Sequence, residues 1–224
     1  MNNKATDFIK AAIGPYLGIP YFINTPKNKD QDSDAKVGKG NFEQIAKLTI
    51  DVAKSSGTDL SNATPQQIYQ FQKKHQIGID CSGLAYHLLN TLSVYLFNKD
   101  LDSILIGTDN KKGVRRLSAH LLTSPPNVVE IKDYQSIQTG DLIRMDQGKH
   151  ILFIIEKIDH KINYVHSSHQ TKKRGVHLGQ IRITDSQKTL NFQNWSDVTL
   201  DDNNYSQLFY PQKGDGIFRL KIFS

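Results

Sequence analysis

Cysteine is all but missing from this chain: Cys81 is the only one in 224 residues. That excludes an internal disulfide framework and a zinc site built on several thiolates. No apolar run approaches the length that a membrane-spanning helix needs, so no membrane span is expected. Internal repeats and low-complexity tracts are absent, and no nucleic-acid-binding motif occurs. The formal charge of +6 is modest and spread along the chain, and its densest cluster, Lys172-Lys173-Arg174, reads as a solvated loop. A basic surface suits an anionic partner, but nothing singles out nucleic acid as that partner. A secretory leader is not evident, because Pro15 and Pro20 break the fairly apolar stretch from Ala11 to Ile23 and no clear cleavage site follows.

What is present is enough for a core: 38% apolar residues, with ten Phe and nine Tyr. At 224 residues a single domain, 1–224, is the default, with room for an insertion. The chain is organised around Gly78-Ile79-Asp80-Cys81-Ser82-Gly83-Leu84. A polar turn ends at Cys81, and Leu84, Leu88, Leu92 and Tyr95 then recur at helical spacing. Cys81 is therefore expected in the first turn of a helix, with Asp80 as cap. Free amides and the positive end of the helix dipole favour a thiolate there, and the thiolate is the nucleophile. The competing reading of Cys81 is a small buried hydrophobe.

Two histidines tip that balance. Gly140 to Met145 reads as a turn entering a strand, followed by strands from His150 to Ile158 and from Ile162 to Ser167. The Asp159-His160-Lys161 turn is hairpin-short, so the last two strands should be antiparallel neighbours. His150 begins one and His166 ends the other, which brings both imidazoles to one end of the sheet. A base and a residue that aims the base are what a cysteine nucleophile requires.

Asp80-Cys81-Ser82-Gly83-Leu84, then Gly140-Asp141-Leu142-Ile143, His150-Ile151 and Val165-His166-Ser167-Ser168 together resemble the NlpC-type cysteine peptidases of bacterial cell walls. Weaker matches are Gly18-Ile19-Pro20-Tyr21 and Arg116-Leu117-Ser118-Ala119. The resemblance covers about residues 78–184 well and 1–25 loosely. It implies an α+β, papain-like fold, with the nucleophile helix packed on a central antiparallel sheet. It further implies catalytic Cys81, His150 and His166, with Tyr21, Asp80 and Ser82 on the substrate side. The implied reaction is cleavage of an amide in peptidoglycan stem peptides through a thioester, with no cofactor and no metal. A papain-like amidase, deamidase or acyltransferase acting on another substrate, such as an exported effector toxin, is the alternative. The implied location is the cell wall or periplasm, if a leader was removed or a leaderless route is used, and otherwise the cytoplasm.

The chain departs from that family between Tyr21 and Cys81, where the Trp-Gly-Gly stretch is missing. Residues 24–77 read as a helical insertion: a polar loop over 24–40, a helix over 41–55 capped by Asn41 with Gln44, and a helix over 66–75 after Thr64-Pro65. A lid, a specificity element, an intramolecular inhibitor and added scaffold are all compatible with it. Residues 185–214 are polar around Trp195 and Tyr205 and read as a surface excursion, while Gly216 to Ile222 alternates and should close the sheet. His87 reads as packed or solvated, and His75, His120, His160, His169 and His177 as surface. A metal on His166, His169 and His177 would need an acidic ligand, and none stands at a recognisable spacing.

Overall fold

The computed structural model describes residues 3–23, 33–106 and 113–224. Part of the polar loop expected over 24–40, residues 24–32, lies outside the described residues. The architecture is α+β: a seven-stranded, wholly antiparallel sheet with helices on one face. Its strands are β1 (Val128–Glu130), β2 (Leu142–Met145), β3 (His150–Ile158), β4 (Lys161–Ser168), β5 (Gly175–Arg182), β6 (Asn194–Trp195) and β7 (Gly216–Leu220). Their spatial order is β1-β7-β2-β3-β4-β5-β6. The segment expected to close the sheet, β7, thus lies inside it between β1 and β2. The three-residue β1 takes the edge.

The run Ile151-Leu152-Phe153-Ile154-Ile155 in β3 is buried throughout. It lacks the polar alternation of a half-exposed strand because both faces of the sheet are covered. On one face Ile151, Phe153 and Ile155 meet α1 (Asn3–Ile13) and α4 (Cys81–Phe97). Helix α1 buries Ala5, Ile9 and Ile13, a four-residue repeat that makes one apolar stripe. Helix α4 buries Leu84, Leu88, Leu89 and Leu92 completely or nearly so, each contributing about 1.5–3 kcal/mol on the usual scale of side-chain burial. It begins because the Asp80 side chain accepts from the Gly83 amide at 2.6 Å, and it stops at Asn98, whose left-handed backbone (φ 52°) ends the helical path.

The opposite face corrects the surface excursion expected over 185–214. Leu152, Ile154, Ile143, Ile162 and Ile217 point that way and must be shielded from water. Leu190, Trp195, Tyr205 and Phe209 from that segment supply the shield. The segment is polar in composition but folds as short 3-10 turns and the two-residue β6 around four large apolar anchors.

Helices α2 (Phe42–Ser55) and α3 (Pro65–Lys74) begin as expected, each with a reciprocal capping box, Asn41 with Gln44 and Thr64 with Gln67. They are joined by a buried bond from Gln72 to Thr49 at 3.1 Å. A 3-10 turn at Val114–Arg116 is followed by the four-residue α5 (Ala119–Leu122), which begins where the Ser118 side chain accepts from the Leu121 amide. Asp141 works as a turn residue should, accepting from the Gln138 amide. It also pairs through both oxygens with Arg219 of β7, at 2.7 and 2.9 Å.

Candidate active site

Cys81 is the first residue of α4 and is 7% exposed. Its approach segment is held from three sides. Ile79 bridges Tyr21 in parallel and Lys39 in antiparallel fashion, and its carbonyl accepts from the Ser167 hydroxyl at 2.7 Å. The sulfur lies beside the backbone amide of Ile151, the residue after His150, and beside its neighbour Ser82. Among the described residues no hydrogen bond joins the sulfur to an imidazole.

The start of β3 and the end of β4 do bring the two expected histidines together, with His150 Nε2 2.9 Å from His166 Nδ1. The β3–β4 hairpin makes this possible: Ile158 pairs Lys161 across a two-residue turn, and Asp159 takes the left-handed backbone (φ 50°) that such turns demand. Beyond His166 the chain of contacts continues. His166 Nε2 is 2.9 Å from His177 Nε2 and 3.2 Å from Asp197 Oδ2, and the Tyr164 hydroxyl donates to that same oxygen at 2.6 Å.

The hydrogen positions follow by elimination for neutral rings. The Gly175 carbonyl can only accept, so His177 Nδ1 carries the hydrogen of their 2.9 Å bond and Nε2 keeps a lone pair. His166 Nε2 then faces two acceptors and must carry its own hydrogen. Its Nδ1 accepts from His150 Nε2–H, which leaves the lone pair of His150 on Nδ1. That nitrogen can accept a proton.

Electrostatics keep the group neutral. Burial carries His150 well below its ordinary value, helped by the imidazoles of His166, His169 and His177. Burial also carries His166 down to about 4, against the pull of its bond to Asp197. Burial alone would raise Asp197, but the hydrogen bonds from His166 and Tyr164 hold it well below the carboxylate range. The thiol behaves opposite to the expectation drawn from its helix position. Burial and the Asp80 carboxylate push Cys81 up to about 12, outweighing the Lys39 ammonium and the amides of Ile151 and Ser82. A helix start favours thiolate only while the sulfur is solvated or paired, and here it is neither.

Tyr21 is half-buried and packs its ring on His169 with centroids 4.5 Å apart. Its hydroxyl is held protonated by burial and then by the proximity of Cys81 and Asp80. His169 is exposed, as expected, and lays its ring against Tyr21 at the edge of the site. Asp80 and Ser82 are buried and face Lys39. The Lys39 ammonium lies 2.8 Å from Asp80 Oδ2 and 2.9 Å from Oδ1, and it donates to Ser82 Oγ at 2.6 Å and to the Leu117 carbonyl at 2.9 Å. His87 is packed, with Nε2 2.9 Å from the Lys39 carbonyl.

Sequence reasoning missed Lys39, His177, Asp197 and Tyr205. His177 had a signal: once β4 and β5 pair across the loop 169–174, register sets it directly opposite His166. Asp197 had only its place near Trp195 in a segment needed to cover the second face. Tyr205, fully buried, lies among the rings of His150, His166 and Trp195.

No protein-family model, curated protein or solved structure matches this chain.

Proposed function

We propose that this chain is a cysteine hydrolase with a papain-like arrangement, cutting an amide bond of a peptidoglycan stem peptide. The observation that carries the reading is the juxtaposition of one helix-start cysteine with a hydrogen-bonded imidazole pair. The sulfur adjoins the Ile151 amide, and the neighbouring His150 bonds His166 at 2.9 Å. Cys81 attacks the amide carbonyl while His150 Nδ1 takes the thiol proton, so the pair starts neutral and not as a ready-made ion pair. The same imidazolium returns the proton to the leaving amine, and water then hydrolyses the thioester. Catalytic contacts of this kind tighten when substrate binds. As charge develops on His150, His166 accepts its Nε2–H, and Asp197 steadies His166 through the far nitrogen. The Cys81 amide, which has no acceptor among the described residues, faces the oxyanion; one such donor is worth roughly 2.7–4 kcal/mol of barrier.

One observation favours a second reading, an amidase, deamidase or acyltransferase acting on a different amide. Asp80 and Ser82, which the family resemblance gives to substrate, are 5% and 4% exposed and engaged by Lys39. Incubation with purified peptidoglycan and mass analysis of the soluble fragments separates the two. A new amine terminus at a stem-peptide bond, absent with Cys81→Ala, is expected. No new terminus at any stem-peptide bond removes the substrate assignment, and a Cys81→Ala protein that turns over as wild type removes the nucleophile.

A further inference from the structure

We propose that His166, His177 and Asp197 form a site for one divalent transition-metal ion of the zinc class. The proposal does not depend on the hydrolase reading. Three donor atoms converge: His166 Nε2 and His177 Nε2 are 2.9 Å apart, and Asp197 Oδ2 stands 3.2 Å from the first and 3.5 Å from the second. Zinc bonds to nitrogen and oxygen run about 2.0–2.1 Å, so neighbouring ligands of a tetrahedral ion stand about 3.3 Å apart. The three separations bracket that edge.

The surroundings fit as well. A ligating histidine normally has its second ring nitrogen fixed by a neighbour. His177 Nδ1 donates to the Gly175 carbonyl at 2.9 Å, and His166 Nδ1 is 2.9 Å from His150 Nε2. The carboxylate is held by the Tyr164 hydroxyl at 2.6 Å, and the Asp197 carbonyl accepts from the Tyr205 amide at 3.1 Å. The two imidazoles sit directly opposite each other on β4 and β5, so their spacing is set by sheet register and not by a loop. Asp197 and His166 are 2% and 1% exposed, which keeps bulk water from competing for the donors. Two imidazoles and a carboxylate, with no thiolate, suit zinc, copper, nickel or iron over calcium or magnesium, which prefer all-oxygen shells. Three protein ligands leave a fourth position to water.

The test uses the whole chain, stripped with a chelator, dialysed, and titrated with zinc chloride by calorimetry and with cobalt(II) by absorption spectroscopy. One equivalent of zinc and the ligand-field bands of a four-coordinate cobalt centre are expected. His177→Ala and Asp197→Ala should each weaken binding by 10-fold or more, and Tyr164→Phe by about 10-fold, the usual effect of removing an outer-shell partner. Cys81→Ala should bind as wild type, which separates this site from any ion held by the thiol. Circular dichroism identifies variants that fold, and His177→Gln replaces His177→Ala if the smaller side chain unsettles β5. The proposal is overturned if folded wild-type protein takes up no zinc, if one equivalent persists undiminished in both ligand variants, or if Cys81→Ala abolishes uptake.

Discussion

Replacing Lys39 with methionine tests whether the floor beneath the cysteine is held by a buried ion pair. Lys39 is 4% exposed and Asp80 5%, with ammonium and carboxylate 2.8 Å apart. At that distance the Coulomb attraction is ~6 kcal/mol for an effective dielectric of about 20, and the desolvation of both groups offsets much of it. The variant does not simply lose that balance. It leaves the Asp80 carboxylate buried with only the Gly83 amide and the Ser82 hydroxyl as donors. Removing one partner of a buried pair costs roughly 3–5 kcal/mol, a large part of the roughly 5–15 kcal/mol that holds a typical domain together. Urea unfolding followed by fluorescence of Trp195, the single tryptophan, measures the loss. Lys39→Met should lose at least about 3 kcal/mol. Lys39→Met with Asp80→Asn should recover more than half of it, since the orphaned charge is then gone. A single-variant loss below about 1 kcal/mol, the range of exposed pairs, would refute the reasoning. So would a double variant whose loss equals the sum of the two singles, because coupled partners are not additive.

Three further outcomes are expected. Alkylation of Cys81 by iodoacetamide should rise steadily from pH 6 to 9 without levelling, because the thiol is pushed up to about 12; a plateau in that interval contradicts the neutral thiol. In chelator-treated protein, stability should fall by about 3 kcal/mol as pH drops from 6.5 to 4, because His166 binds its proton near 4 when folded and near 6.5 when unfolded. The unfolded chain holds more protons across that window, so protonation favours unfolding there, and a flat stability profile refutes the assignment. Gly179→Ala should cost about 1–3 kcal/mol by overpacking, since an added Cβ runs into the ring and hydroxyl of Tyr164; unchanged stability with an intact Tyr164–Asp197 bond rejects that packing.

The parts of the site that were legible were written in local signals. Asp80 before an apolar helical repeat marks where α4 begins, and the short turn at Asp159 pairs β3 with β4, so Cys81, His150 and His166 all follow from neighbours in the chain. The caps at Asn41 and Thr64 were legible for the same reason. Lys39 was not, because its burial exists only where residues 38–39 meet residues 79–80. In sequence it belongs to a polar run that looks solvated. Asp197 was hidden because composition describes the average of a segment, whereas four apolar anchors decide where the segment 185–214 lies. The unbroken apolar run of β3 had already announced a second covered face. The thiol was misjudged for a different reason: helix position predicts only the dipole, and desolvation, which needs the tertiary structure, is the larger effect.

Where residues 20–22, 38–39 and 78–80 run alongside one another, main chain touches main chain. A methyl group at Gly78 would collide with the Pro20 carbonyl, and one at Gly38, whose φ of 74° already favours glycine, with the Phe22 carbonyl. An engineer hoping to widen the entrance therefore has nothing to trim along this seam. Altered selectivity has to come from the rings of Tyr21 and His169, which stand on the seam without being part of it.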